Sequence, residues 1–269
     1  MRTGQMRWVV LELAFMFCAP VLALCAQDAA KPEPLKMMAA DADPDWEVTT
    51  VRPSDPNGGN DRINVRGRHI VIENESVQTM VRFAYGVQPS QIAGAPDWAK
   101  AERWDADGVP DVEGQPDVRQ FQSMVRKLLA ERFALKLHHE QREMPVFALT
   151  LAKGGPKLVP SKGDPNGRPR QDLGGANGRQ TRKFTNTSMQ DLALMLQFAS
   201  DRPIMDQTGL KGRYDFQLNW TTDDTRSTEP DAPPGIFTAI QEQIGLKLEP
   251  VKAPADVLVV DRVERPGAN

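Results

Sequence analysis

Cysteine is almost missing from this 269-residue sequence: there are two, Cys18 and Cys25, and both precede residue 27. Cleavage after Ala26 would leave a chain without a thiol. That excludes disulfides, thiolate-bound metals and a cysteine nucleophile together. Aromatic residues are scarce at 6%, so the core is expected to be aliphatic. Three histidines leave few side chains that change charge near neutral pH. Neither charge sign dominates: the net charge is -3 with both signs interspersed, whereas a nucleic-acid binder needs a basic face. A Gly-x-Ser-x-Gly nucleophile elbow and a Gly-Lys-Ser/Thr phosphate loop are both missing. No cofactor and no metal is expected.

What is present begins with an export signal. Arg2 and Arg7 precede a short apolar run, Leu13 to Leu24, followed by Leu24-Cys25-Ala26 and polar Gln27-Asp28. This order predicts a signal peptide over residues 1–26, in a run too short to span a bilayer comfortably. Glu12 at its edge keeps an N-terminal anchor as the competing reading. Cys25 raises lipid anchoring as a minority alternative, although Leu24 stands where a small residue is usual. The expected location is therefore the periplasm or the extracellular space, with no transmembrane span in the mature form. Residues 27–45, rich in Ala, Pro, Lys, Asp and Glu, read as a flexible leader.

The chain as a whole, with hydrophobic and charged fractions of 40% and 26%, has an ordinary globular composition. Its informative property is self-similarity. Ile72-x-Asn74-x-Ser76-x-Gln78-x-Met80 aligns with Phe184-x-Asn186-x-Ser188-x-Gln190-x-Leu192, at an offset of 112. Arg103-Trp104-Asp105 aligns with Arg213-Tyr214-Asp215, at an offset of 110. Leu129-x-Glu131-x-Phe133-x-Leu135-Lys136-Leu137 aligns with Ile240-x-Glu242-x-Ile244-x-Leu246-Lys247-Leu248, at 111. Pro145 with Ala148-Leu149 aligns with Pro254 and Val257-Leu258, at 109. Four matches in one order at nearly one offset predict a tandem duplication.

Each copy reads as a β-α-β-α-β-β unit, an α+β fold with helices packed on a mainly antiparallel sheet. A strand leads into an Asn-x-Ser turn whose Ser caps a helix, and Ser188 and Asp191 have capping-box spacing. Val77, Met80, Val81 and Ala84 form one apolar helix face; Leu192, Met195, Leu196 and Ala199 form its counterpart. Tyr214, Phe216, Leu218 and Trp220 alternate with polar residues, as in a half-buried strand. A second helix carries Val118, Phe121, Val125, Leu128 and Leu129 in the first copy. In the second copy it carries Ile236, Ala239, Ile240 and Ile244. Val257 to Val260 is apolar on both faces, as in a central strand. The first repeat is placed at 46–153 and the second at 183–266. Between them, 154–182 holds seven glycines and four prolines and reads as a linker. Residues 221–234 read as a second exposed loop.

These stretches carry a resemblance. Glu47 to Pro53, Met80 to Gly86, Ile92 to Trp98, Leu128 to Lys157, Arg202 to Phe216, Gln241 to Leu248 and Val257 to Pro266 resemble DUF3738, a family of exported soil-bacterial, acidobacterial-type proteins. The resemblance covers nearly all of the mature chain. It implies no defined activity. Some relatives are similar to proteins joined to envelope peptidase domains, which implies a sensing or interaction role. The capped-helix repeat also looks like the small α+β modules of secretins and TonB-dependent receptors, a likeness of fold that does not fix function.

The candidate chemistry is sparse. His138 and His139 are adjacent on a predicted strand, so they point to opposite faces and do not share a metal readily; His69 would have to complete the set. Asp206-Gln207-Thr208-Gly209 resembles an aspartic-protease turn, but the inserted Gln and the missing second carboxylate argue for a tight turn. Asp105-x-Asp107-Gly108 hints at a calcium loop, but Pro116 stands where the final Glu is needed. The candidate binding residues are Arg103, Trp104, Asp206, Arg213 and Tyr214, and no residue is assigned as catalytic. Repeated salt bridges and core aromatics compete with that assignment, and the groove between the copies is the expected surface. The sequence favours a non-enzymatic binding module whose partner is an envelope protein or peptide. The alternatives are a hydrolase using carboxylates in the inter-repeat groove, and a sensor or inhibitor subunit of an envelope peptidase.

Overall fold

A computed structural model describes residues 36–269, apart from 56–57, 59–60, 67, 177, 198, 222–232 and 268–269. The expected signal peptide, Cys18, Cys25, the start of the leader and most of the 221–234 loop lie outside the described residues. Among those described, no helix is long and apolar enough to cross a membrane.

The first half of the chain runs β1 (Trp46–Pro53), β2 (Arg62–Arg66), β3 (His69–Glu75), α1 (Val77–Tyr85), β4 (Ile92–Ala93), α2 (Trp98–Ala101), β5 (Trp104–Pro110), α3 (Val118–Arg132) and β6 (Lys136–Leu151). The second runs β7 (Val159–Pro160), β8 (Arg170–Gly174), β9 (Arg179–Thr187), α4 (Met189–Gln197), β10 (Ile204–Asp206), β11 (Tyr214–Thr221), α5 (Ile236–Ala239), a π-helical turn (Ile240–Ile244) and β12 (Leu246–Arg262). The fold is mixed α and β with mostly antiparallel sheets.

Three four-stranded sheets result. The first has the order β1-β5-β3-β2 and the second β7-β11-β9-β8. The third, β10-β6-β12-β4, is built on the antiparallel pairing of β6 with β12 along nearly their whole lengths. Its outer strands are parallel additions: β4 pairs with β12 at Leu258 and Val259, and β10 pairs with β6 at Phe147 to Leu149.

The local signals explain the elements. Ser76 caps α1 by accepting from the Thr79 amide, and Gly86 ends it in the left-handed region, at φ 64°. Ser188 and Asp191 form the reciprocal box at α4, with Asp191 N donating to Ser188 Oγ and Ser188 N to Asp191 Oδ2, each at 3.1 Å. Val77, Met80, Val81 and Ala84 are buried, in one core with Met124, Val125, Leu128 and Leu129 of α3. The tripeptides Asn74-Glu75-Ser76 and Asn186-Thr187-Ser188 turn the chain from strand to helix. Both asparagines sit at positive φ, 57° and 55°, a conformation that Asn tolerates.

Two cores form. The first takes residues from β1, β3, β5, α1 and α3, and also Leu258 from β12, with Leu137 and Val260 against it. The second takes Phe184, Leu192, Leu196, Leu218 and Ile240, and also Leu149 from β6. Each long strand therefore contributes to both cores, and Leu35–Asn269 forms one compact unit.

Several expectations need correction. Each unit was expected to close with two strands, but β6 and β12 are single strands of 16 and 17 residues. Pro145 and Pro254 both lie inside these strands, where the ribbon has only two strands and each has an open edge. A missing N–H is tolerated there. Strands β2 and β4 and helix α2 were not anticipated. The 154–182 stretch is more than a linker, because it supplies β7, β8 and the start of β9; its glycines mark the turns, with Gly155, Gly175 and Gly178 at positive φ. Val118 is 57% exposed, since the first residue of α3 lies outside the apolar stripe. Ala199 is exposed beyond the end of α4. In the second half the other helix is reduced to α5 and the π-helical turn, which Gly245 ends at φ 69°.

Candidate functional site on the outer face of the first sheet

Alternation along the first sheet sends one set of residues into the core and the other outward. Ile70 and Ile72 of β3, Trp104 and Ala106 of β5, and Val51 of β1 are buried. The opposite face carries Thr50 and Arg52 on β1, Asp105 and Asp107 on β5, His69 and Glu73 on β3, and Arg66 on β2. These side chains surround a cavity of about 610 Å³, with Val71 contributing an apolar lining.

The register brings the charges together. Thr50 lies opposite Asp107 and Arg52 opposite Asp105. Val71 lies opposite Asp107 on the other side. Glu73 faces Arg62, and His69 faces Arg66. Imidazole Nδ1 of His69 is 2.7 Å from Asp107 Oδ1, and both side chains are about half exposed. Asp105 Oδ1 accepts from Ser54 Oγ at 2.7 Å and from the Asn74 amide at 3.0 Å. The Arg52 guanidinium stands at a longer 3.4 Å from its other oxygen. Glu73 accepts from Arg62 Nε at 2.6 Å and, at 3.4 Å, from Arg66. The carboxylates in the hollow are thus paired, and the Thr50 hydroxyl donates to the main-chain carbonyl of Asp107 at 3.4 Å.

Beneath this face, Glu75 is only 6% exposed. Burial, and then the charge of Asp61, pushes its carboxyl above the ordinary glutamate range, while Arg103 pulls it back. Thr187 occupies the matching place in the second half and is fully buried.

The residues singled out from the sequence are dispersed. Arg103 is exposed just before β5. Trp104 is a core residue, 5% exposed, with its ring edge-on to Phe133 at 5.5 Å. Asp206 ends β10 in the expected tight turn, accepting from the Thr208 amide at 2.9 Å and hydroxyl at 2.7 Å. Arg213 is a structural anchor, donating to the carbonyls of Pro165 and Asn186 at 2.7 Å each. The Tyr214 hydroxyl is 3.5 Å from the Lys211 carbonyl. Arg103 and Trp104 enter the first sheet and Arg213 and Tyr214 the second, so the five do not make one surface.

The other motifs also find their places. His138 lies between Asp261, at 2.9 Å from Nδ1, and Glu140, at 3.1 Å from Nε2. His139 is 2.6 Å from Asp256 instead. Among the described residues, no group of three or more His, Cys, Asp or Glu side chains is placed to hold a metal. The suspected calcium loop at Asp105 is strand β5 itself. The cavity lies on the face of one sheet, not in the expected groove between copies. Sequence reasoning weighed His69 only as a metal ligand and passed over Arg52, Arg66 and Glu73. The signal was the two-residue alternation of β3 and β5, which places His69, Glu73, Asp105 and Asp107 on one face.

The second sheet supplies a contrast. Gln217 pairs with Lys183, and Asn219 with Thr181, where the first sheet has Asp107 with Val71. Thr181 Oγ1 donates to Asn219 Oδ1 at 2.9 Å, and Gln217 Nε2 donates to the same oxygen at 3.2 Å. Asp215 alone keeps the role of its counterpart: its Oδ1 accepts from the Asn186 amide at 2.8 Å, and that bond, with the Ser161 hydroxyl, holds its carboxyl below the usual range.

No curated protein and no solved structure matches the chain. The family model described as a protein of unknown function, DUF3738, matches residues 78–263, and so the chain belongs to the DUF3738 family.

Proposed function

We propose that this is an exported, non-enzymatic binding module made of two copies of one α+β unit, and that the charged hollow of the first copy is its binding surface. Duplication is supported by the matching strand orders β1-β5-β3-β2 and β7-β11-β9-β8. It is supported again by Asn74 and Asn186, which share positive φ and donate their amides to Asp105 and Asp215. Export rests on the charge-apolar-small order of residues 1–26. The envelope is then where a partner protein or peptide is met.

The single observation that carries the binding assignment is the cavity of about 610 Å³ lined by paired charges, a size typical of ligand sites. Carboxylate hydrolysis gains no support, because Asp105, Asp107 and Glu73 are each already engaged by a cation, an imidazole or an N–H.

A photo-crosslinking residue replacing Thr50, compared in intact cells with one replacing Gln217, tests the assignment. Discrete adducts at the Thr50 position alone are expected. Equal labelling at both positions, or none at either, overturns it. Mass spectrometry of the purified N-terminus checks export, since a chain retaining Met1 in the cytoplasm contradicts it.

A further inference from the structure

We infer that the hollow takes a short peptide with a free ammonium group and a free carboxylate, held by Asp107 at one end and by Arg52 or Arg66 at the other. This rests on the binding assignment above and specifies its ligand chemistry.

The argument is a comparison of how fully each charged group is already engaged. Asp105 is committed to the fold: it accepts two short bonds, from Ser54 and from the Asn74 backbone. Glu73 is committed to Arg62 at 2.6 Å. Asp107 meets the His69 ring at 2.7 Å, which uses one acceptor position of a carboxylate that offers about four. It lies in the middle of the sheet, between Thr50 of β1 and Val71 of β3, where a ligand cation would be flanked on both sides. The guanidiniums stand at the rims with long contacts, both at 3.4 Å. Contacts of that length are weak and leave most of the five N–H donors of each fork for a carboxylate.

The spacing suits a peptide. Arg52 is one strand across and two residues along from Asp107, about 8 Å between Cα atoms at ordinary sheet spacings. Arg66 is two strands across and two residues along, about 12 Å. An extended peptide rises about 3.4 Å per residue, so two to four residues bridge either gap once the side chains reach inward. The small apolar lining at Val71 suits peptide side chains better than the hydroxyls of a sugar. The second sheet has Gln217 where the first has Asp107 and Lys183 where it has Val71, and the acid beside them, Asp172, is already held by Arg170 at 2.9 Å.

The test is calorimetric titration of the full chain with tri-alanine, N-acetyl-tri-alanine, tri-alanine amide, inorganic phosphate and maltotriose. Tri-alanine is expected to bind, and each cap to weaken binding about tenfold, the factor that one charge-assisted hydrogen bond supplies. Binding should also weaken with added salt. Asp107→Asn should reproduce the loss caused by N-acetylation and make the protein indifferent to that cap. Arg52→Ala or Arg66→Ala should do the same for the amide, and Gln217→Ala should change nothing. Equal binding of capped and free peptides overturns the inference, as does a protein that ignores tri-alanine at millimolar concentration. Binding of phosphate or maltotriose without tri-alanine rejects this ligand class while leaving a binding surface, which the crosslink at Thr50 reports separately. Far-ultraviolet circular dichroism of each variant shows that a lost signal is not lost folding.

Discussion

Replacing Leu258 with alanine tests whether the two cores are interlocked. Leu258 is on β12, in the last part of the chain, yet it is fully buried in the core built mainly from the first half. It stands between Ile92 of β4 and His139 of β6. Truncation removes buried methyl groups and leaves a void that the surrounding side chains fill only in part, which costs about 2–5 kcal/mol. Taking about 3 kcal/mol, and about 2–4 °C per kcal/mol for a domain of this size, the melting midpoint should fall by about 6–12 °C. The reporters are built in, since Trp104 lies in the first core and Trp220 in the second. Tryptophan-to-phenylalanine variants that keep one or the other allow each core to be followed by fluorescence during heating. Because β6 and β12 run through both cores, both reporters should shift together in one transition. Leu149→Ala, the reciprocal case of a first-half residue fully buried in the second core, should behave alike. A Trp220 midpoint that stays at the wild-type value while the Trp104 midpoint falls would refute the interlock.

Two further perturbations follow from local geometry. Glu140 and then Asp261 raise the His138 pKa above its ordinary 6.5; a group whose folded value is raised stabilises fully below its unfolded value and loses that contribution as pH climbs through the folded one. The urea-midpoint advantage of wild type over His138→Gln should therefore be largest in mild acid and shrink above neutrality, and a pH-independent gap refutes this. Gly209 and Gly245 share φ 69°, but a Cβ at Gly209 meets no atom within 4 Å, whereas one at Gly245 would clash with the Gly155 carbonyl oxygen. Gly209→Ala should cost only the left-handed penalty of about 1–2 kcal/mol, while Gly245→Ala forces backbone apart and should leave little soluble folded protein; equal urea midpoints for the two variants contradict the clash.

The sequence disclosed features whose causes are local. Helix caps at Ser76 and Ser188, the apolar face of α1 and the alternation of β11 each depend on neighbours within a few residues. Two closing strands were expected in each unit, whereas β6 and β12 each run unbroken, and the proline inside β6, Pro145, is harmless because β10 stops short of it. The exchange of β6 and β12 between cores depends on pairing across roughly a hundred residues, which no local pattern encodes. The hollow was hidden for the same reason. Asp107 and His69 are 38 positions apart, and Arg52 and Asp105 are 53 apart. Each looks like an ordinary outward residue until register makes them neighbours.

On the proposed duplication, the contrast between inward and outward positions follows from burial. Most inward places stay apolar in both halves, as with Ile72 and Phe184 or Met80 and Leu192, because a polar group there would lose its water without gaining a partner; the buried pair Glu75 and Thr187 at the strand-to-helix bend is the departure. Outward places face no such demand, and there His69 and Asp107 of one half stand against Thr181 and Gln217 of the other. Asp105 and Asp215 are the instructive exception, outward yet identical. Each accepts the amide of an asparagine at positive φ, an N–H that the sheet ladder does not bind at the bend. An outward carboxylate shared by both halves is therefore a structural part of the strand-to-helix turn. Asp107 has no such duty in its backbone surroundings, and its place in one half only is what separates a recognition residue from a scaffold residue.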